Sequence, residues 1–158
     1  MGQSLEVLQQ AGVIPFGIVE GELRVLLVTS RESGRWVIPK GYVEPKLTAA
    51  ESAAKEAYEE AGIEGKLTSE TPLGFFTYLK RIRPGESRPA SVEVYLLRVA
   101  KQCKKWPEMK QRKCGWFSVQ EAAELVEEPG LSRLLLRLEE MDIAALSGGK
   151  AVIENLSS

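Results

Sequence analysis

Hydrophobic residues near the start of the chain form two runs that are separated by a short polar segment. Residues 13–19 and 23–30 are the apolar runs, and Glu20-Gly21-Glu22 lies between them. A polar break that contains Gly between two such runs is typical of a β-hairpin, so we predict two paired strands. The second run is almost continuously apolar, which predicts burial on both faces of a sheet.

Further strands are predicted in the middle and later parts of the chain. Residues 36–39 predict a short strand, residues 73–80 and 91–99 predict two longer ones, and residues 116–117 predict a last short strand. Residues 81–90 contain Gly, Pro and several Arg residues. We interpret this connection as a basic loop.

Helical signals begin after the first strands. Thr48 and Glu51 have the spacing of a capping box, which predicts that a helix begins there, and Gly62 predicts its end. Ser118 and Glu121 form a second capping box, for a helix that extends to about residue 127. After Pro129-Gly130, the repeated leucines of residues 131–142 predict an amphipathic helix.

Strands mixed with helices in this order predict an α/β fold. We expect an α/β/α sandwich, in which helices cover both faces of a mixed central sheet. The 158 residues are a typical length for one domain, and they contain no repeat or linker. We place this domain at residues 11–146, after a lead-in of residues 1–10, and we expect residues 147–158 to be a flexible tail.

Composition restricts the classes of function. The formal net charge is −1, which gives no overall attraction to nucleic acid or to an anionic membrane. The chain has no apolar run of membrane length, no signal peptide and no C-x-x-C pair, so we expect a cytoplasmic protein without a membrane partner. Because histidine is absent, a general base must be a carboxylate, a lysine, a tyrosine or a metal-activated water, and a histidine-ligated zinc site is excluded.

Three glutamates lie at the end of the first predicted helix, where they are least favourable. Glu59 and Glu60 face the negative end of the helix dipole, at about 0.3–1 kcal/mol each. Glu56 adds about 0.2–0.5 kcal/mol of repulsion for each like-charge pair. A hard divalent cation would turn this repulsion into coordination, whereas the alternative is a solvated acidic face. Lys55 is spaced to bridge Glu51 and Glu59.

The segment that contains these glutamates resembles the Nudix box, whose pattern is G-x5-E-x7-R-E-U-x-E-E-x-G-U, with U a bulky aliphatic residue. The match covers 23 positions and reads Gly41-x5-Leu47-x7-Lys55-Glu56-Ala57-x-Glu59-Glu60-x-Gly62-Ile63. Leu47 replaces a glutamate, Lys55 replaces an arginine, and Ala57 is smaller than usual. Lysine lacks the planar fork of arginine, but Leu47 removes a carboxylate that the fork would face, so we expect the two departures to compensate.

This resemblance implies the Nudix fold and the hydrolysis of a phosphoanhydride with Mg²⁺, or alternatively Mn²⁺. It implies that Glu56, Glu60, Glu59 and the backbone carbonyl of Lys40 are metal ligands. It also implies that Glu59 is the general base and that Lys55 holds it in place.

Similarity to this family extends from about residue 11 to about residue 126. The segments that carry it are similar to the branch that hydrolyses diphosphoinositol polyphosphates and diadenosine polyphosphates: residues 25–31, 35–36, 106–108, 112–113 and 116–117. The eukaryotic inositol-pyrophosphate enzymes carry basic residues before the first strand, whereas residues 7–11 here are uncharged. A small-molecule polyphosphate is therefore the expected substrate, with diadenosine polyphosphates first, and its candidate contacts are Arg31, Lys80, Arg81, Arg112 and Lys113.

Two alternatives remain open. Leu47 and Lys55 are compatible with a Nudix-fold module that senses a phosphorylated ligand without cleaving it. A 5′-end RNA pyrophosphohydrolase would require a basic groove with stacking aromatic residues, although nucleic acid is not the expected partner. The candidates for such stacking are Phe75, Phe76, Tyr78 and Trp106. The sequence gives no indication of the oligomeric state.

Overall fold

Two long strands form the centre of a mixed β-sheet in the computed structural model, which describes residues 6–141. These strands, β1 (Leu8–Val19) and β7 (Glu86–Gln102), pair in parallel. Residues 10–18 of β1 are all buried. Because successive side chains of a strand point to opposite faces, this continuous burial means that both faces of the sheet are covered.

The other strands of the described region extend the sheet by antiparallel pairing. Their bounds are β2 (Glu22–Thr29), β3 (Trp36–Val37), β4 (Lys40–Tyr42), β5 (Ile63–Leu67), β6 (Gly74–Arg83) and β8 (Cys114–Ser118). β2 pairs with the C-terminal part of β1 and also with β3 and β8, while β4 pairs with the N-terminal part of β1. β5 and β6 both pair with β7.

Helices pack against this sheet as α1 (Ala49–Ala61), α2 (Val119–Leu125) and α3 (Pro129–Arg137), and a short 3₁₀ helix (Leu138–Glu140) follows. α1 lies against β1, β4 and β5, whereas α2 and α3 pack against each other and against β2, β8 and β6. The predicted α/β/α sandwich with a mixed central sheet is confirmed. No helix within residues 6–141 is both long and apolar enough to cross a membrane.

The predicted caps of α1 are present at both ends. The hydroxyl of Thr48 accepts a hydrogen bond from the backbone N–H of Glu51, and the Glu51 carboxylate accepts one from the Thr48 N–H at 2.9 Å. Gly62 ends the helix in the left-handed conformation, with φ of 69°. The second predicted capping box, between Ser118 and Glu121, begins α2 in the same way.

The predicted basic loop at residues 81–90 is wrong. β6 continues to Arg83 and β7 begins at Glu86, so Pro84-Gly85 alone forms the turn of a long hairpin. Pro89 is tolerated within β7 because β1 begins to pair with β7 only at Ala90, which leaves β6 as its neighbour there. A proline without an N–H is accommodated where a strand has one partner.

Other boundaries also differ from the predictions. β5 was not predicted, because its residues alternate poorly, yet it pairs with β7 through a bulge at Glu64/Gly65. β1 begins at Leu8, inside the segment assigned to the lead-in, and α3 ends at Arg137 before the short 3₁₀ helix. The predicted flexible tail, residues 147–158, lies outside the described residues.

Candidate active site

A cavity of about 460 Å³, which we call the central pocket, lies beside the C-terminal half of α1. Several of the predicted site residues line it, namely Arg31, Lys40, Gly41, Glu56, Glu60, Lys80, Arg81 and Arg112. Lys55, Glu59, Gly62 and Lys113 are not among the lining residues. The fold therefore brings residues that are far apart in the sequence together at one end of α1.

Two carboxylates of α1 form the acidic side of the central pocket. Glu60 is 3% exposed, and it is the one buried charged residue among residues 6–141. Burial raises the pKa of Glu60 to about 8, while Arg112 opposes the rise and Glu56 adds to it by repulsion and a shared hydrogen bond. Burial also raises the pKa of Glu56. A pair of carboxylates held this closely favours a shared proton or a cation between them.

Arg112 joins this pair to a third carboxylate that the sequence analysis missed. Its Nε lies 2.9 Å from Oε1 of Glu108, and its Nη2 lies 3.7 Å from Oε2 of Glu60. Its Nη1 donates a hydrogen bond of 3.1 Å to the backbone carbonyl of Thr29. Its side chain is 11% exposed and lines the central pocket, where it pairs with Glu60 and Glu108. The predicted contact of this guanidinium with phosphate remains a prediction.

A segment of residues 102–108, here called the capping loop, binds the C-terminal end of α1. Helix ends leave their last carbonyls without partners in the helix, and this loop supplies donors to them. The indole N–H of Trp106 donates to the carbonyl of Glu60 at 3.2 Å. Three more bonds run from Gln102 Nε2 to Ala61 O, from Cys103 N to Gly62 O and from Glu108 N to Glu59 O. The loop thereby holds the turn that carries Glu59 and Glu60.

Lys55 pairs with Glu59, as predicted, but its second partner is Glu44 rather than Glu51. Its Nζ lies 2.7 Å from Oε2 of Glu44 and 3.9 Å from Oε2 of Glu59, and the hydrogen bond to Glu44 raises the pKa of Lys55. The predicted bridge to Glu51 is not formed, because the Glu51 carboxylate belongs to the capping box. Glu44 therefore supplies the carboxylate that Leu47 does not provide.

Basic side chains also line the central pocket. The Nζ atom of Lys40 lies 4.6 Å from the ring centre of Tyr78, and that of Lys80 lies 5.8 Å from the ring centre of Tyr42. Burial lowers the pKa of Lys40, whose side chain lines the pocket in addition to the predicted backbone carbonyl. Arg31 is exposed and donates to Gln111 at 3.0 Å.

Gly41 is required by the position of Glu56, which gives a first prediction. A Cβ atom at position 41 would contact the Glu56 carboxylate, with Oε2 at 2.6 Å. We expect Gly41→Ala to displace this carboxylate and lower kcat/KM by about tenfold, a typical cost of misplacing a group that supports a site. Since the displaced atoms are the end of a flexible side chain, the melting temperature should change little.

Gly21→Ala is the matched control for this substitution. Gly21 has φ of 76° with open space around it, so alanine there should lower stability and leave turnover unchanged. Turnover of Gly41→Ala within twofold of the parent protein would show that the position of Glu56 does not matter.

The fold and the acidic pair at the end of α1, of which Glu60 is buried, indicate the class of protein. The NUDIX domain model matches residues 8–138, and the chain belongs to the Nudix hydrolase family. The proposed resemblance is thus confirmed.

Curated relatives support the same membership. The chain is 35% identical over 124 residues to "Nudix hydrolase 12, mitochondrial" of Arabidopsis thaliana, covering 72% of this chain and 57% of that protein. It is 36% identical over 111 residues to diphosphoinositol polyphosphate phosphohydrolase 2 of Rattus norvegicus, covering 68% and 57%. The chain therefore spans somewhat more than half the length of these relatives.

A solved structure shares the fold. The Ap4A hydrolase of C. elegans superposes with a TM-score of 0.65 at 20% identity, covering 85% of this chain and 98% of that one. At this identity, the likeness concerns the fold alone.

Proposed function

We propose that the chain is a Mg²⁺-dependent Nudix pyrophosphohydrolase that cleaves a phosphoanhydride bond in a nucleoside-diphosphate-linked or polyphosphorylated small molecule. The candidate substrates are diadenosine polyphosphates and diphosphoinositol polyphosphates. The observation that carries this proposal is the pair Glu56 and Glu60 in a pocket that is also lined by basic side chains. The name of the rat relative, a diphosphoinositol polyphosphate phosphohydrolase, supports it.

The donor set suits a magnesium ion. Within residues 6–141, no group of three His, Cys, Asp or Glu side chains is arranged to hold a metal. Mg²⁺ is usually bound by one or two carboxylates together with waters and substrate phosphates, so Glu56 and Glu60 are sufficient protein carboxylates. We propose that the carbonyl of Lys40 and the carboxylate of Glu59 complete the protein ligands, and that Mn²⁺ is accepted as well. When bound, the cation would acidify water and offset charge on the diphosphate.

The remaining residues orient these carboxylates. Nη2 of Arg112 lies 3.7 Å from Oε2 of Glu60, and the capping loop fixes the backbone of the last turn of α1. We propose that Glu59 takes the proton of the attacking water and that Lys55, 3.9 Å away, orients it. Glu59 is not among the residues that line the central pocket. This role therefore requires the attacking water to lie at the edge of the pocket, within reach of Glu59.

Phosphate groups remote from the cleaved bond would meet the basic side chains of the pocket. Arg31, Lys80, Arg81 and Arg112 line the pocket and are the proposed contacts, together with Lys113, which is exposed outside the lining. A cytoplasmic location remains a prediction, since several plant relatives are named mitochondrial. The domain boundaries at residues 11 and 146 also remain predictions.

A Mg²⁺-dependent screen of phosphoanhydrides, with the products identified, tests this function. We expect diadenosine tetra- or pentaphosphate to be hydrolysed best and ADP-ribose to be poorer by at least about tenfold, because a short dinucleotide reaches fewer cations. Arg31→Ala should raise KM for long polyphosphates by up to about tenfold, as an exposed charge-assisted contact does. Arg133→Ala, which removes an exposed arginine of α3 outside the pocket, is the matched control.

Two results would contradict the proposal in different ways. ADP-ribose as the best substrate by tenfold would exclude the polyphosphate assignment. No turnover of any phosphoanhydride with excess Mg²⁺, combined with measurable binding, would favour the sensing module instead.

A further inference from the structure

One carboxylate of the central pocket has an oxygen atom without a hydrogen bond to residues 6–141, and it lies on a different element from the acidic pair of α1. Glu128 precedes α3 at its N-cap position, but its side chain makes no capping hydrogen bond. It lines the central pocket, and its Oε1 atom is buried without a hydrogen bond from any described residue. It also forms no ion pair within 4.0 Å in residues 6–141. Helix capping therefore does not explain this side chain, and its attraction to the ammonium of Lys40 acts over more than 4.0 Å.

The location of Glu128 follows from the packing of α3 on β6. A Cβ atom at Gly130 would lie 2.9 Å from Cβ of Phe76, so the start of α3 lies directly over this strand. Phe76, Tyr78 and Lys80 alternate along β6 and therefore share one face. Glu128, two residues before Gly130, thus lines the central pocket together with Tyr78 and Lys80 of β6.

The neighbouring donors do not form a hydrogen bond with Oε1 of Glu128. The Tyr78 hydroxyl donates to Oε1 of Gln10 at 2.7 Å, and the ammonium of Lys40 lies over the Tyr78 ring. An ionised carboxylate can only accept hydrogen bonds, and a buried acceptor without a donor is unfavourable. A ligand that brings an N–H or O–H group to this position would satisfy Glu128, whereas a phosphate there would be repelled by it.

We propose that Glu128 selects a nucleoside polyphosphate over a fully phosphorylated inositol, an inference that rests on the proposed function. A nucleoside carries ribose hydroxyls and base N–H groups, which are donors that Glu128 can bind. A fully phosphorylated ring presents phosphate oxygens, which are anionic acceptors. The basic side chains that line the pocket attract both compounds. Glu128 discriminates between them because it accepts hydrogen bonds from a donor and repels an anion.

Selectivity measured within one protein tests this proposal. We compare kcat/KM for diadenosine tetraphosphate with kcat/KM for diphosphoinositol pentakisphosphate, in the parent protein and in Glu128→Gln and Glu128→Lys. We expect the ratio to fall by about tenfold in Glu128→Gln and by more in Glu128→Lys, with the inositol compound gaining. The ratio is insensitive to a partial loss of folded protein, which affects both substrates equally. Glu124→Gln makes the same change of charge on the exposed side of α2 and should leave the ratio unchanged.

Binding separates failure of this inference from failure of the proposed function. Titration calorimetry in metal-free buffer measures the affinities of the same two compounds for the parent protein and for Glu128→Lys, without requiring hydrolysis. If the parent protein hydrolyses no phosphoanhydride with excess Mg²⁺, the proposed function fails, while a tenfold shift in the ratio of affinities would still support the role of Glu128. Ratios within twofold of the parent protein in both variants would overturn the inference.

Discussion

Glu60→Gln is expected to lower turnover of the best substrate by at least about a hundredfold with saturating Mg²⁺, because it removes a charge that the cation requires from a buried position. Glu56→Gln should have a similar effect, since its carboxylate shares a hydrogen bond with Glu60. The measurement is kcat, together with a Mg²⁺ titration that reports the apparent metal affinity. Both variants should need more Mg²⁺ for half-maximal activity.

The folded state should tolerate these changes. Because burial raises the pKa of Glu60 to about 8, its side chain is largely protonated at neutral pH without metal, and glutamine resembles that form. We therefore expect the metal-free melting temperature to be unchanged or slightly higher. Glu70→Gln, an exposed glutamate outside the pocket, is the matched control for charge. Full turnover in Glu60→Gln would refute the assignment of the acidic pair as the reaction centre.

Gly62→Ala is expected to lower the free energy of unfolding by at least about 2 kcal/mol. Alanine in the left-handed conformation at φ of 69° costs about 1–2 kcal/mol. In addition, its Cβ atom would overlap the ring of Trp106, with Cδ2 at 2.6 Å, and would force the capping loop away from α1. For a chain of this size, the loss corresponds to a melting temperature lower by about 4–8 °C.

Gly85→Ala separates the two causes of this loss. Gly85 has φ of 82° in the β6–β7 turn and open space around it, so alanine there reports the backbone cost alone. Gly62→Ala should lose more stability than Gly85→Ala and should also lose turnover, since the capping loop holds the turn of Glu60. Equal losses in the two variants, with turnover retained, would show that the contact with Trp106 does not position the site.

The sequence predicted those features that depend on residues close together in the chain. Both capping boxes join side chains and backbone groups three residues apart, and the left-handed end of α1 needs only Gly62 at its position. The Nudix box is a contiguous segment for the same reason, because most of its glycines and glutamates act within one loop and one helix. The predicted α/β/α sandwich followed from hydrophobic periodicity, which is also local.

The sequence prediction failed where pairing with a neighbouring strand overrode the local pattern. The Gly, Pro and Arg content of residues 81–90 indicated a loop, yet pairing with β6 extended β7 through Pro89. β5 was missed because its stability comes from the neighbouring strand rather than from its own pattern.

Only the tertiary structure decided which groups share the pocket and which partner each one has. Trp106 binds the backbone of Glu60 across 46 positions of the chain, and Arg112 binds Thr29 across 83. These bonds form because β7 and β8 lie beside β1 and β2 and carry the capping loop to the end of α1. Sequence spacing therefore predicted the acidic pair. The burial that raises the pKa of Glu60, and the contacts of Arg112 with Glu60 and Glu108, depend instead on packing between distant segments.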